Sequence, residues 1–307
     1  MNSLSPLVTI VTLVHYTNPE FVIAAIESIY NQTYTNIEHI IVNDAPDDKQ
    51  YWPQIKKYLK DNNLPSLIIE HKENFGVCKS LNEVLNLSKG KYFCGCCDDI
   101  ILPNKITVEV NTLENLDEIF VATYSDAFLI DDNGDLLEGM FIEKHREFKK
   151  NPEGNIFNEL IDGNFLPAMS MMWRTDKIKE VGWYDESLLF EDYDLHLRLF
   201  KLYNVKFIDV PTSKYRIHSN SLSNKIKDWD YDYFLIFSKH KTNKKISKKI
   251  LELKNNVVLK FDNYNDLKKF EIKFSFLWYI LYKCNIPRIK ILSLINILRK
   301  IRLILTN

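Results

Sequence analysis

Apolar residues along this chain recur with two different periods, and the alternation between them outlines the fold. Val8–Val14 is a continuous, β-branched run, the pattern of a strand buried on both faces. Thr17-Asn18-Pro19 then opens a helix expected to run through Gln32, because Phe21, Val22, Ala25, Ile26 and Ile29 fall on one helical face. Ile37–Val42 is a second buried strand, closed by Asn43-Asp44-Ala45-Pro46. The pattern then repeats. A helix is expected over Trp52–Leu59 and a strand over Leu67–Glu70. A helix follows over Gly76–Leu87, with Val77, Leu81, Val84 and Leu85 on one face, and then a strand over Tyr92–Cys97 after Gly90. Strands and helices alternating in this way predict a mainly parallel sheet covered on both faces.

The second half has another rhythm. Phe120–Ile130 is a long strand, and Asp132-Asn133-Gly134 is a hairpin signal leading into a strand from Leu136. A short helix near Ile156–Ile161, a strand near Met169–Trp173, a helix after Glu191 and a strand over Val205–Val210 follow. This is an α+β half joined to an α/β half. Past Asp228 the chain becomes Lys-rich with a helical pattern, then apolar and basic. The expected division is 1–105, 106–227 and 228–307.

Composition and charge narrow the class. The 307 residues are 46% hydrophobic, 26% charged and 13% aromatic, enough to bury a core, which excludes a disordered or collagen-like chain. Forty Lys/Arg against 41 Asp/Glu argue against a general nucleic-acid binder. That balance conceals a split: from Lys268 onward nine Lys/Arg stand against one acid, so the preceding body is acidic. The cysteines, Cys78, Cys94, Cys96, Cys97 and Cys284, are odd in number and three crowd together. No disulfide framework has that spacing, so a reducing compartment is expected. The residues up to Tyr16 have no basic stretch ahead of their short β-branched run and read as a strand rather than a signal peptide. No uninterrupted apolar run reaches the ~18 residues that predict a membrane-crossing helix.

In open α/β sheets, ligands gather at the carboxyl ends of the strands. There the chain places His15-Tyr16 after the first strand, Asp44 after the second and Asp98-Asp99 after the fourth, all on one edge. Two adjacent carboxylates suit a hard divalent cation, whose charge offsets their repulsion and in turn favours a diphosphate. The same acids also suit the role of helix caps. Cys94, Cys96 and Cys97 are compatible with zinc, but no second cluster completes such a site; small buried strand residues are the simpler reading.

Six segments in order carry a resemblance that spans residues 5 to about 225: VTIVTLVHY, SIYNQTYTNIEHIIVNDAPDD, NFGVCKSLNEVLNLSKGKYF, CCDDIILPNKI, FLPAMSMMWRTDKIKEVGWYDESLLFEDYDLHLRL and YRIHSNSLS. Together they resemble the inverting family 2 glycosyltransferases with the GT-A fold. The resemblance implies an α/β protein: a Rossmann-like, mainly parallel sheet fused to a smaller mixed α+β acceptor half, with a helical C-terminal tail. It implies that Asp44 receives the nucleotide base, usually uracil. Leu13 and His15 would cradle and stack on that base, the imidazole replacing the usual aromatic, and Lys79 would approach the nucleotide. Asp98-Asp99 match the metal and ribose motif, DxD in most relatives, whose first acid is Cys96 or Cys97 here. Alignment from Pro103 makes Asp98 the metal ligand, and alignment from Gly90 favours Asp99. A thiol does not replace a hard carboxylate on Mg²⁺. His218, in Tyr215-Arg216-Ile217-His218, matches a histidine that relatives often bring back to the metal.

The catalytic base implied by the resemblance is Asp192, in Glu191-Asp192-Tyr193-Asp194. It would take the acceptor hydroxyl's proton during a single in-line displacement. A helix N-terminus there favours the ionised carboxylate, and the position also suits an N-cap. Glu191, Trp183, Tyr184 and Asp185 are expected to contact the sugars or acceptor; the two aromatics suit the core equally well. The implied cofactor is Mn²⁺ or Mg²⁺, a Lewis acid for the leaving diphosphate. The implied donor is a UDP-sugar, the acceptor a glycan or lipid-linked oligosaccharide, and the source bacterial.

Two other classes compete. A non-catalytic nucleotide- or carbohydrate-binding protein on a decayed transferase scaffold is motivated by the missing first acid of DxD. A nucleotidyltransferase would want a Gly-rich phosphate loop, which the N-terminal half lacks. Phe270–Leu305 alternates apolar runs with Lys and Arg around Pro287, the pattern of a helix lying on an anionic membrane surface. A packing arm or homodimer contact is the alternative. The expected location is the cytoplasm, at the inner face of the membrane.

Overall fold

The computed structural model describes residues 5–219, 221 and 229–260. Those up to 221 belong to one compact unit and those from 229 to another. Strands β1 (Val8–Val14), β2 (Ile37–Asn43), β3 (Ser66–Glu70) and β4 (Tyr92–Gly95) lie parallel in the order β3-β2-β1-β4. Helices α1 (Pro19–Tyr30), α2 (Trp52–Asp61) and α3 (Val77–Leu87) connect them. The Asn18 side chain accepts the Glu20 N–H and Pro19 fills the first helical position, so α1 starts at its sequence signal. Its apolar stripe packs with Val14 and Ile41 of the sheet and Trp52, Ile55 and Leu59 of α2.

The chain steps from β1 to β2 to β3 in one direction, then returns across them to place β4 on the other side of β1. Right-handed crossovers put α3 on the face opposite α1 and α2. Such a reversal is where open α/β sheets place a ligand crevice, here beyond the carboxyl ends of β1 and β4. Entry into β4 needs Gly90, because a Cβ there would lie 2.5 Å from the Thr9 backbone nitrogen.

The second half extends the same sheet. Its strands are β5 (Ile100–Ile101), β6 (Phe120–Ile130), β7 (Leu136–Met140), β8 (Met172–Arg174) and β9 (Asn204–Arg216). β4 pairs antiparallel with β8, and the order continues β8-β6-β9-β5, with β7 attached to β6. One nine-stranded sheet therefore runs through both expected halves. Between the strands lie α4 (Lys105–Glu114), α5 (Phe141–His145), α6 (Phe157–Ile161), α7 (Thr175–Glu180) and α8 (Asp192–Phe200).

Several elements depart from the hydrophobic pattern: β9 runs on to Arg216 rather than ending at Val210, and β5, α5 and α7 are absent from it. β4 ends at Gly95, two residues early; Cys96 leaves the ladder yet stays buried, its thiol donating to the Asp99 carbonyl at 3.5 Å. The strand expected over 169–173 starts at Met172, because a 3₁₀ turn, Ala168–Ser170, precedes it. The Ser170 hydroxyl holds that turn by reaching the Ser125 and Pro167 carbonyls at 2.8 and 2.9 Å. Helix α4 is absent from the pattern altogether, since two of its buried positions are charged.

Those two, Lys105 and Glu109, form an i,i+4 ion pair with no exposed side-chain surface. Lys105 also donates to the Ser170 carbonyl at 3.3 Å, and Glu109 accepts from the Thr212 hydroxyl at 3.3 Å. Burial pushes Glu109 up to about 7, against the pull of Lys105. The Thr212 N–H meets the Ser125 hydroxyl at 3.0 Å. This network lies at the register break in the β6–β9 ladder, where pairing jumps from Ser125–Ile208 to Ala127–Ser213. It therefore pins the last stretch of β9, which leads directly to His218.

The second unit holds α9 (Asp230–Ser238) and α10 (Lys244–Lys260), which pack on each other. Among the described residues no helix is long and apolar enough to cross a membrane. The basic stretch from Lys268 onward lies outside the described residues.

Lys105→Met strands a carboxylate in the core and is expected to cost about 3–5 kcal/mol of unfolding free energy. Adding Glu109→Leu is expected to restore most of that loss. Urea denaturation of both variants checks it; a double variant no more stable than the single one would contradict the ion-pair account.

Candidate active site

The edge formed by the ends of β1, β2 and β4 collects the polar residues. Asp44 follows β2 directly, its N–H donating to the Val14 carbonyl at 2.9 Å, so it sits beside the end of β1. Its side chain is buried and well supplied with donors. Oδ1 accepts the Phe75 N–H and His71 Nδ1, each at 2.7 Å, and Oδ2 accepts the Gly76 N–H at 2.8 Å. His71 Nε2 in turn faces Glu83 of α3 at 2.7 Å. His15 lies exposed at the mouth, where its Nε2 accepts from Asn74 at 2.7 Å. Tyr16 beside it is held at φ +50°, a left-handed backbone that an aromatic residue rarely adopts. Lys79, in the first turn of α3, places its ammonium 3.5 Å above the Phe75 ring.

Asp98 and Asp99 point to different places. Asp99 turns inward, and its Oδ1 accepts the Arg216 N–H at 2.8 Å. Burial and the neighbouring Asp98 charge raise its pKa well above the ordinary value. Asp98 keeps 28% of its side chain exposed and meets His218 Nε2 at 3.0 Å through Oδ2. Arg216 is the clasp between them. Its Nε donates to the Asp98 carbonyl at 2.9 Å, and Nη1 reaches the Asp131 and Asp132 carbonyls. Its guanidinium also covers the Phe21 ring, 4.5 Å from the centroid. Among the described residues no group of three or more His, Cys, Asp or Glu converges on one metal position. Cys94 and Cys96 are core residues packed with Val8, Ile10 and Tyr92.

Asp192 opens α8 and is half-buried. Oδ2 accepts from Asn164 at 2.8 Å and Oδ1 from the Tyr193 N–H at 2.6 Å. Burial raises its pKa above the ordinary 3.8, and those two hydrogen bonds oppose the rise. The helix N-terminus thus stabilises the anion as expected, but burial outweighs it. Glu191 is pushed to about 7 by burial first and by the Asp192 charge second. Asn164 Oδ1 lies 3.2 Å from His196 Nδ1. Burial lowers His196 to about 3, so the ring is neutral and donates from Nδ1. Asp194 is fully buried, bonded to Arg198 at 2.8 Å.

The residues expected to face sugars lie in different settings. Tyr184 is buried rather than exposed, close enough to Glu191 and Asp192 that their charges, after burial, raise its phenol pKa. Asp185 accepts the Ser187 N–H and hydroxyl at 2.9 and 2.6 Å, which closes a tight local turn. Trp183 is half-buried, with Lys179 5.4 Å from its ring.

One thiol shows how the parts converge. Cys97 Sγ accepts the Leu13 N–H at 3.4 Å. Its pKa is pushed up to about 12 by burial first, then by the nearby charges of Asp98, Asp99 and Glu191. The Leu13 bond thus ties the end of β1 to the turn that carries Asp98 and Asp99. His71, Asn74, Arg216 and Asn164 complete this site without being singled out by the sequence reading. Arg216 and Asn74 carried a signal, as members of the YRIHSNSLS and NFGVCKSLNEVLNLSKGKYF segments.

Known proteins share this fold. A mannosyltransferase from Pyrobaculum calidifontis, solved with GDP-Man and Mn²⁺, superposes with TM-score 0.53 at 12% identity, covering 98% of this chain and 81% of its own. S. aureus TarS 1–349, solved with UDP-GlcNAc, superposes with TM-score 0.57 at 15% identity, covering 90% of this chain and 72% of its own. At these identities the likeness is one of fold, and that fold is GT-A. An uncharacterized glycosyltransferase of Methanocaldococcus jannaschii is 34% identical over 251 residues, spanning 78% of this chain and 81% of the relative. The family model described as glycosyl transferase family 2 matches residues 10–180, from β1 through α7. A crevice at the strand reversal, acids at the strand ends and a carboxylate-rich helix start beside them are thus read in a chain that belongs to glycosyl transferase family 2.

Proposed function

We propose that the protein transfers a sugar from a UDP-sugar, with inversion, to a hydroxyl of a glycan or lipid-linked oligosaccharide. The observation that supports this reading is that Asp44 and Asp98 follow β2 and β4, the two strands flanking β1, and that His218 closes on Asp98 at 3.0 Å.

The choice of uracil is supported by the acceptor capacity of Asp44. A carboxylate offers about four acceptor positions. Three are taken by Phe75, Gly76 and His71, leaving one on Oδ2. One position suits the single imide N–H of uracil better than the paired donors on the guanine edge. His15, held at the mouth by Asn74, is the stacking surface.

The diphosphate belongs beside Asp98. Asp98 Oδ2 and His218 Nε2, 3.0 Å apart and facing each other, are a carboxylate and an imidazole of the kind Mn²⁺ accepts. Two protein donors leave the remaining coordination for diphosphate oxygens and water, as such cations prefer. A divalent ion held there supplies Lewis-acid charge to the leaving UDP. Asp99 serves as the anchor to β9 rather than as a ligand. Cys96, in place of the first acid of DxD, is buried and takes no part.

Asp192 is the base. Asn164 orients its Oδ2, and the neutral His196 fixes the amide of Asn164 in turn. Asp194 is committed to Arg198, which leaves Glu191 as the neighbour whose charge shares the site. During displacement Asp192 accepts the proton of the attacking hydroxyl while the anomeric bond to UDP breaks on the opposite face.

Mn²⁺ is expected to tighten UDP binding by about tenfold or more in the wild type and not in Asp98→Ala or His218→Ala, read by calorimetry with and without chelator. Equal UDP affinity under both conditions in the wild type would remove the metal from this site. Asp192→Asn is expected to lower turnover on the order of a hundredfold with UDP affinity nearly unchanged. Turnover needs the ionised base, so kcat/KM should fall on the acid side through a pKa above the ordinary 3.8. Asn164→Ala removes a hydrogen bond to the ionised form, raises that pKa, and should move the acid limb to higher pH.

A further inference from the structure

Helix α3 is bonded to both sides of the crevice. Toward the nucleotide side, the residues at its start give Asp44 the Phe75 and Gly76 N–H groups, and Glu83 reaches Asp44 through His71. Toward the other side, Asn82 meets the segment that leads into Glu191 and Asp192. Asn82 Oδ1 accepts the Tyr184 N–H at 3.0 Å, and Nδ2 donates to the Tyr184 carbonyl at 3.0 Å and to Glu186 Oε1 at 2.9 Å. One amide side chain thus reproduces a strand-like bridge to Tyr184. The Cys78 thiol, one turn earlier on α3, adds a bond to the Leu188 carbonyl at 3.6 Å.

The segment so held does not lie in a relaxed conformation. Gly182 and Trp183 have φ of +96° and +64° in succession. For Gly182 that is free, but for a tryptophan the left-handed region is disfavoured and persists only where surrounding bonds over-determine it. Those bonds are the Trp183 N–H to the Ile178 carbonyl at 3.0 Å, Arg198 Nη2 to the Trp183 carbonyl at 2.6 Å, and the Asn82 bridge one residue later. Arg198 and Asp194 tie the strained turn to α8, and Asn82 ties it to α3.

From this geometry we infer that Asn82 is a positioning residue for the transfer step. By fixing Tyr184 to α3 it sets the place of the Glu191–Asp192 carboxylates relative to the bound nucleotide, without touching substrate itself. The inference rests on the reading of Asp192 as the base. A misplacement of about 1 Å at the base is enough to lower the rate on the order of a hundredfold.

The test uses the full-length protein with Asn82→Ala, Asn82→Asp and, in parallel, Asp192→Asn. Asn82→Asp keeps the acceptor for Tyr184 but loses both donations and sets a carboxylate against Glu186. Hydrogen exchange of peptides covering 182–190 should speed up in both Asn82 variants, while peptides from β1 and β2 keep wild-type protection. UDP affinity should stay within about twofold, and kcat should fall by about tenfold or more, a loss in turnover without a matching loss in binding. Unchanged exchange over 182–190, or unchanged kcat, overturns the positioning role. Loss of UDP affinity in step with kcat overturns it too, by showing a general disruption of α3. If Asp192→Asn retains wild-type turnover, the base assignment fails separately, whatever the exchange data show.

Discussion

A carboxylate at the end of a buried strand must find donors, and Asp99 finds its partner in the backbone of Arg216. Much of the site depends on that bond. It brings the far end of β9 across the mouth of the parallel sheet, so Arg216 can hold the Asp98 carbonyl and the Asp131–Asp132 turn at once. Two residues later the chain delivers His218 to Asp98. The bond also frees Asp98: with Asp99 committed inward, the neighbouring carboxylate faces the crevice. The adjacent pair thus divides: Asp99 is bonded to β9, and Asp98, partly exposed, faces His218.

The energy that keeps β9 in place lies deeper. Lys105 and Glu109 are buried together, and the Thr212 hydroxyl joins them just where the β6–β9 register breaks. A buried ion pair is a weak source of net stability, because desolvation offsets most of its attraction. Its use here is specificity of register: only one alignment of β9 supplies Thr212 to Glu109 and Ser213 to Ile101. A slip by one residue would turn Arg216 and His218 to the wrong faces.

How much of this was legible in the sequence follows from what sequence patterns encode. Strands β1 to β4 and helices α1 to α3 were readable because their apolar periods are uninterrupted, and so was the edge carrying His15, Asp44 and Asp98. Helix α4 was not, because Lys105 and Glu109 occupy core positions where a period search wants apolar residues. The strand before Arg174 began late because Ser170 bonds backward to Pro167, a local competition with the ladder. Within the site, Asp99 could not be told from Asp98, since inward and outward directions are set by β9, over a hundred residues away in sequence. Asn164, His71 and Asn82 escaped for the same reason: each is a polar residue in an ordinary setting whose partner is distant in the chain. Tyr184 fitted a sugar wall and the core equally well from sequence, and it is buried behind the Asn82 bridge.

On the proposed reading, base recognition at Asp44, metal-assisted departure of UDP at Asp98 and proton removal by Asp192 act together to invert the anomeric centre. Incubating the full-length protein with a panel of UDP-α-sugars, and following both UDP release and the anomeric proton of the new glycoside by NMR, tests all three together. The account predicts UDP release from one donor with a β-linked product. An α-linked product, or turnover of a GDP-sugar with none of any UDP-sugar, would contradict it.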